Sequence, residues 1–315
     1  MLHEYLFLIT LSFGITLLIG SPLIHLLKAL GSNQAIREDG PKSHLEKKSN
    51  VPTMGGIIFL IPAFLLTLAI CFIKKDCQTL DLIVVMAVTL VMAILGFTDD
   101  YLKIKKQHNK GVSGWIKLLI QFLVSLIIVY LYNEGDLLIY LIWVFFIIAG
   151  AANSYNLTDG LDGLVTSVSL ASFLGCLFLF NQYNEVALSY LVSIFFGSLL
   201  GFLCFNKYPA KVFMGDTGSL AIGGAIGAIA VVSRSELFLI CFATIPIIEA
   251  LSVIIQVVSY QLSKKFLGAG KRIFKMAPLH HHFELCNWKE TDIVKRFVIF
   301  QIACVIVGIL FLSLQ

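Results

Sequence analysis

A succession of long apolar runs, several of them close to or beyond the roughly 20 residues an α-helix needs to cross a hydrocarbon layer, restricts this chain more than any other feature. The runs are Leu6–Leu27, Ile57–Ile73, Leu82–Phe97, Ile116–Tyr132, Leu137–Asn153, Leu164–Phe180, Val186–Phe205, Leu220–Val232, Leu237–Leu262 and Ile293–Leu314. They are apolar on every face rather than at every second residue, which excludes the alternating pattern of a membrane β-barrel. Across 315 residues the chain is 58% hydrophobic and 13% charged, with a mean hydropathy of +0.90, far from the composition of a soluble domain. The expected fold is therefore an all-α polytopic integral membrane protein with about ten transmembrane helices.

The first run has no basic segment before it, only His3 and Glu4, and is longer than the apolar part of a signal peptide, so it is expected to stay as a span. No composition shift, linker or repeat divides the sequence, and one membrane domain over residues 1–315 is expected.

Loop charge predicts the orientation. Lys28, Arg37, Lys42, Lys47 and Lys48 share one loop, Lys103, Lys105, Lys106 and Lys110 the next on that side, followed by Lys207 and Lys211 and the basic run from Lys264 to Arg296. The alternate loops carry Lys74, Lys75 and Arg234 against Asp76, Glu134, Asp136, Glu185 and Glu236. Basic loops stay in the cytoplasm, so both termini are expected outside. The net charge of +4 thus reports topology before any attraction to anionic headgroups, and nucleic-acid binding has no support. The seven cysteines lack metal-ligand spacing and are expected to be free thiols.

On this reading five aspartates, Asp99, Asp100, Asp159, Asp162 and Asp216, lie at cytoplasmic span ends. Carboxylates near lipid need partners or a purpose. Asp99 and Asp100 are expected at a helix C-terminus, where the macrodipole disfavours them and calls for a cation, either a divalent metal or Lys103. Asn156, Asp159 and Asp162 recur at three-residue spacing, sharing one stripe if helical or lining a tight turn through Gly160 and Gly163 if not. Both geometries gather hard oxygen ligands suited to Mg²⁺. Asp216 precedes the eighth run in an Asp-Thr-Gly-Ser sequence that also reads as a helix N-cap.

Pro52, Gly55 and Gly56 before the second span form either a phosphate cradle with Lys48 and free backbone N–H groups or a flexible cap. Pro246 and Glu249 fall in the ninth run, where the proline can kink the helix and turn the acid inward, toward a helix neighbour or toward substrate. The run His280-His281-His282 suits contacts to anionic phosphate better than zinc, because adjacent histidines rarely converge on one ion. Gly197–Gly201 and Gly223–Gly227 are GxxxG pairs for close helix packing. Carboxylates holding a divalent ion inside a ring of lysines and histidines attract and polarise a phosphorylated substrate, so phosphoryl transfer at a membrane surface is the implied chemistry.

In order along the chain, Pro52-Thr53-Met54-Gly55-Gly56, Asp99-Asp100-Tyr101, Asn156 to Gly163, Val212-Phe213-Met214-Gly215-Asp216 and Pro278 to Glu284 closely resemble the bacterial phospho-N-acetylmuramoyl-pentapeptide transferases. The aspartate motifs are those of the wider polyprenyl-phosphate N-acetylhexosamine-1-phosphate transferase superfamily; the triple histidine and the Pro-Thr-Met-Gly-Gly segment point to the muramoyl branch. The resemblance implies Mg²⁺-dependent transfer of phospho-MurNAc-pentapeptide from UDP-MurNAc-pentapeptide to undecaprenyl phosphate, giving lipid I and UMP in a bacterial cytoplasmic membrane, by a homodimer of ten-span subunits whose active site faces the cytoplasm. It makes Asp216 the Mg²⁺ ligand, Asp99 the group that deprotonates or orients the lipid phosphate, and Asp100 and His280 members of the catalytic set. It further implies substrate contacts from Lys48, Thr53, Lys103, Lys117, Asn156, Asp159, Gly160, Leu161, Asp162, Asn206, Phe213, Gln261, His281 and His282. Direct attack by the lipid phosphate is favoured over a phospho-aspartate intermediate. The other readings are a UDP-GlcNAc transferase sharing the aspartates and, less in keeping with acids at span ends, a secondary transporter.

Overall fold

The computed structural model describes residues 1–32, 51–74, 79–106, 111–132 and 135–313. Their regular structure is helical throughout. In chain order the helices are α1 (Leu2–Ala29), α2 (Gly56–Ile73), α3 (Thr79–Lys106), α4 (Gly114–Tyr132), α5 (Leu137–Thr158), α6 (Leu164–Gln182), α7 (Val186–Asn206) and α8 (Gly215–Val232). A 3₁₀ turn at Glu236–Phe238 and the short α9 (Leu239–Phe242) then lead to α10 (Thr244–Leu267), the single-turn α11 (Leu279–Glu284) and α12 (Glu290–Leu312). Ten of these are long and apolar enough to cross a membrane, and the chain is a multi-pass membrane protein.

Helix α8 is the axis of the bundle. Residues Leu220 to Val231 are buried almost without exception, and α3 and α5 flank them. The small side chains Gly223, Gly224, Ala225, Gly227 and Ala228 allow this, since packing in lipid depends on close van der Waals contact rather than on expulsion of water. A Cβ on Gly223 or Gly227 would press on Ala151 of α5, and one on Gly197 or Gly201 of α7 would press on Ser12 or Thr16 of α1, so both GxxxG pairs mark close helix crossings. The periphery carries the opposite character. Trp115, Ile127, Tyr130, Ile139, Phe146, Ile299 and Phe311 stand exposed, forming an outer surface matched to lipid tails.

Two helix boundaries differ from expectation in ways that matter for the site. Helix α3 does not end near Asp99 and Asp100 but continues to Lys106, so the acids lie inside it and Lys103, Lys105 and Lys106 occupy its last turn, where cations suit the macrodipole. Helix α8 begins at Gly215 rather than Leu220, which places Asp216 in its first turn.

The ninth run is not one helix. It breaks between Phe242 and Thr244, and Pro246 stands in the first turn of α10 instead of kinking its middle; a proline lacks the N–H that a continuous helix would need there. Gln301 of α12 closes the break, accepting from Ile245 N–H at 2.9 Å and donating to the Cys241 and Phe242 carbonyls at 3.1 and 2.9 Å. A helix interruption at this depth persists because neighbouring side chains satisfy its freed backbone groups.

Candidate active site

Helix ends from α3, α4, α5 and α8 meet on one side of the bundle, and four charged side chains interlock there. On α3, Asp99 and Lys103 are one turn apart and pair at 2.6 Å. Lys103 also reaches Asp216 at 3.2 Å. From the first turn of α4, Lys117 bridges the same two acids, 3.0 Å from Asp99 and 2.8 Å from Asp216. Each lysine therefore touches both carboxylates. Val112 N–H adds a bond to Asp99 Oδ1 at 2.8 Å, which anchors the loop before α4 to the cluster.

Asp100 performs a different task. Its Oδ1 accepts from Asp216 N–H at 3.2 Å, and its Oδ2 accepts from Thr217 N–H at 3.0 Å and from the Thr217 hydroxyl at 2.7 Å. Met214, the residue preceding α8, makes no side-chain cap, so a carboxylate from α3 caps α8 across the bundle. The N-cap expected of the Asp-Thr-Gly-Ser sequence is supplied from outside it. Gly215, at φ 73°, leaves room for this: a Cβ there would lie 2.5 Å from Asp100 Oδ2 and 2.6 Å from Thr53 Oγ1. The buried Thr53 hydroxyl has no hydrogen-bond partner among the described residues and faces the same space.

The Asn156 to Gly163 segment divides at Thr158. Asn156 is helical and donates to Ser219 Oγ of α8 at 2.9 Å, whereas Asp159 and Asp162 lie in the turn before α6, so the three do not share a helical stripe. Burial, and then the negative charges of Asp216 and Asp100, push the Asp159 carboxyl up to about 8. Asp162 Oδ2 accepts from Ala210 N–H at 2.9 Å, and its own N–H donates to Glu290 of α12 at 2.7 Å. It ties the turn to the α7–α8 loop and to the last helix.

Asp99, Asp100 and Asp216 can each direct one oxygen to within 4.8 Å of the others. Three carboxylates against two ammonium groups leave a net negative charge, and the donors are hard oxygens. That set fits a small divalent cation of the Mg²⁺ type, which prefers carboxylate oxygens and retains waters for the rest of its shell.

The histidines occupy α11. His280 is buried, with Glu249 Oε1 of α10 3.3 Å from its Nδ1, while His281 Nδ1 pairs with Glu284 at 2.8 Å and the two rings lie 4.1 Å apart. His282 turns away: its Nδ1 accepts from Lys275 N–H at 3.1 Å, and Phe274 and Phe283 pack edge-on to its ring. It orders the loop instead of joining its two neighbours.

Other expected site residues are placed as follows. Lys48 lies outside the described residues. The N–H groups of Gly55 and Gly56 are not free for phosphate, because they donate to the Phe213 and Met214 carbonyls at 2.9 Å each; Phe213 N–H returns a bond to Pro52. This zips the start of α2 to the segment before α8 and presents the half-buried Phe213 ring beside it. Gly160 packs directly against the His280 ring. Leu161 is buried among Leu164, Ile245 and Ile293, in a small apolar cluster rather than at a ligand surface. Asn206 is committed on both ends of its amide, accepting from Thr166 at 2.6 Å and donating to the Val212 carbonyl at 3.0 Å. Gln261 is exposed on the far part of α10. Sequence reasoning missed Thr217, Ser219 and Glu290 as site residues, whose bonds to Asp100, Asn156 and Asp162 reach more than 60 positions along the chain.

Fold and site together define a polytopic membrane protein with a lysine-braced carboxylate centre at the ends of its helices. Residues 82–234 match the Glycosyl transferase family 4. The phospho-N-acetylmuramoyl-pentapeptide-transferase of Shouchella clausii is 41% identical over 324 aligned positions, covering 96% of this chain and 97% of the relative. The proteins of the same name from Caldanaerobacter subterraneus and Halalkalibacterium halodurans are 41% and 42% identical, over 99% and 94% of this chain and 100% and 94% of their own lengths. The chain belongs to the phospho-N-acetylmuramoyl-pentapeptide-transferase family.

Proposed function

We propose that this protein transfers phospho-MurNAc-pentapeptide from UDP-MurNAc-pentapeptide to undecaprenyl phosphate, forming lipid I and releasing UMP. The observation that carries the reading is the lysine-bridged pair Asp99 and Asp216 with Asp100 beside it, in a chain alike over nearly its full length to proteins of that name. We place the site on the cytoplasmic face of a bacterial inner membrane, with both termini outside, because the basic loops adjoin it. A homodimer is the proposed assembly.

In the proposed reaction an oxygen of the lipid phosphate forms a bond to the sugar-linked phosphorus of the diphosphate, and the bridging bond to UMP breaks. A lipid phosphate is largely dianionic near neutral pH, so direct attack needs little help from a base. Lys103 and Lys117 supply positive charge where three phosphates must approach one another, and Asp99 fixes both ammonium groups so that little reorganisation is needed during the reaction. Asp100 holds the start of α8, and hence Asp216, in register. Mg²⁺ held through Asp216, with Asp99 and Asp100 close by, would supply Lewis-acid neutralisation of the diphosphate oxygens. Asn156, Asp159, Phe213 and His281 line the proposed side for the nucleotide sugar, with the Phe213 ring offered to uracil.

The test is UMP release by purified protein with both substrates, after chelation and with Mg²⁺ restored. Activity is expected only with the metal, and Asp216→Asn is expected to abolish it while the protein stays folded. Full activity in excess chelator would remove the metal from the proposal, and preference for UDP-GlcNAc would move the protein to the sister branch.

A further inference from the structure

Glu249 is the acid that the proposed reaction leaves without a task. It is wholly buried in the second turn of α10, within a candidate span, where an ionisable group is costly to keep without a use. Its Oε1 accepts from the His280 backbone N–H at 3.2 Å and lies 3.3 Å from His280 Nδ1, while Oε2 has no hydrogen-bond partner among the described residues. The contact joins positions 31 residues apart and fixes the start of α11 against α10.

The other ring nitrogen of His280 points away from Glu249. Like Nδ1, Nε2 has no hydrogen-bond partner among the described residues, and it faces Gly160 so closely that any Cβ at that position would overlap it. Gly160 adjoins Asp159, whose carboxyl feels the charges of Asp216 and Asp100. The imidazole thus spans from a buried carboxylate, 3.3 Å from Nδ1, to the turn bordering the acidic centre, which Nε2 faces.

We infer that Glu249 is a positioning residue that keeps a proton on His280 Nδ1 and directs Nε2 past Gly160 at an oxygen of the bound diphosphate. This rests on the reaction proposed above. A carboxylate behind an imidazole fixes its tautomer and orientation, and when Nε2 also carries a proton that N–H donates to an anionic oxygen. His281 repeats the arrangement with Glu284, so the two neighbouring imidazoles, inclined at 59°, have separate carboxylates.

Glu249→Gln keeps an oxygen for the His280 N–H and removes the charge, so the chain is expected to fold. The variant should lower kcat about 10- to 100-fold, the range seen when a carboxylate behind a functional histidine is lost, with KM for the nucleotide sugar changed less than about threefold. In a His280→Gln background, adding Glu249→Gln should cost no further rate, because both act through one ring. Multiplying losses would overturn the inference, as would full activity of the single variant. A readout that needs no folded variant at 249 is the ¹⁵N shift of His280 in the unsubstituted protein. With the nucleotide sugar bound, protons on both ring nitrogens are expected, and a ring lacking the proton on either nitrogen overturns the inference. Absence of UMP release from the unsubstituted protein would overturn the proposed reaction instead, and leave the ¹⁵N measurement standing as a separate test.

Discussion

Asp100 on α3 caps α8 through Thr217, accepting from both its backbone N–H at 3.0 Å and its hydroxyl at 2.7 Å. One carboxylate therefore sets the position of the helix that carries Asp216. Asp100→Asn keeps the size and loses the charge facing the α8 macrodipole. Loss of a charged cap costs about 1–2 kcal/mol. Thermal unfolding in detergent micelles should show a lowered Tm for Asp100→Asn, and Thr217→Val should lower it by a similar amount. Because the two partners share an interaction, the double variant should fall short of the sum.

Lys117 bridges Asp99 and Asp216 at 3.0 and 2.8 Å. Lys117→Met retains the apolar stem but leaves two close carboxylates with Lys103 as their shared cation. Removing one preorganised charge from such a centre lowers kcat by about 10²- to 10³-fold. Steady-state UMP release checks this, and a fall in kcat below tenfold would mean that Lys103 alone supplies the needed charge.

Asp159 titrates near 8 because burial and the charges of Asp216 and Asp100 oppose its ionisation. Its folded value is raised above the ordinary carboxylate value of 3.8, so the folded state holds a proton there that the unfolded state has lost. The contribution of Asp159 to stability is greatest below its ordinary value of 3.8 and declines as pH rises from there to about 8. In metal-free protein, Tm measured from pH 5 to pH 9 should fall more for the unsubstituted chain than for Asp159→Asn. Equal slopes would contradict the assignment.

Gly96 of α3 lies against the backbone of Asp216 and Thr217, where a Cβ would overlap main-chain atoms that cannot rotate aside. Gly96→Ala should force α3 and α8 apart, at the roughly 1–3 kcal/mol typical of overpacking. Since that movement also separates Asp99 from Asp216, UMP release should fall together with Tm.

The membrane fold was legible because composition alone decides it: an apolar run of about 20 residues has few options in lipid other than a helix. Boundaries were less legible where chemistry intervenes. Nothing local to Asp99 shows that α3 continues for another turn and more, since acids near a helix end look the same whether or not the helix goes on. The break before Thr244 was half visible in Pro246, but the side chain that makes it tolerable, Gln301, lies 56 positions beyond Ile245.

Sequence by itself determined the number of spans, the identity of the acids and the family motifs, because those depend on hydropathy and on short ordered strings of residues. Tertiary structure decided the division of labour among them. Asp100 became a cap and Asp216 a lysine-braced acid through partners 99 to 117 positions away, and His280 acquired its carboxylate across 31. Leu161, inside a motif, went to the core. Hydrogen bonds and ion pairs act over about 3 Å in space, and only the packing of α3, α4, α5, α8 and α10 brings those distances into being.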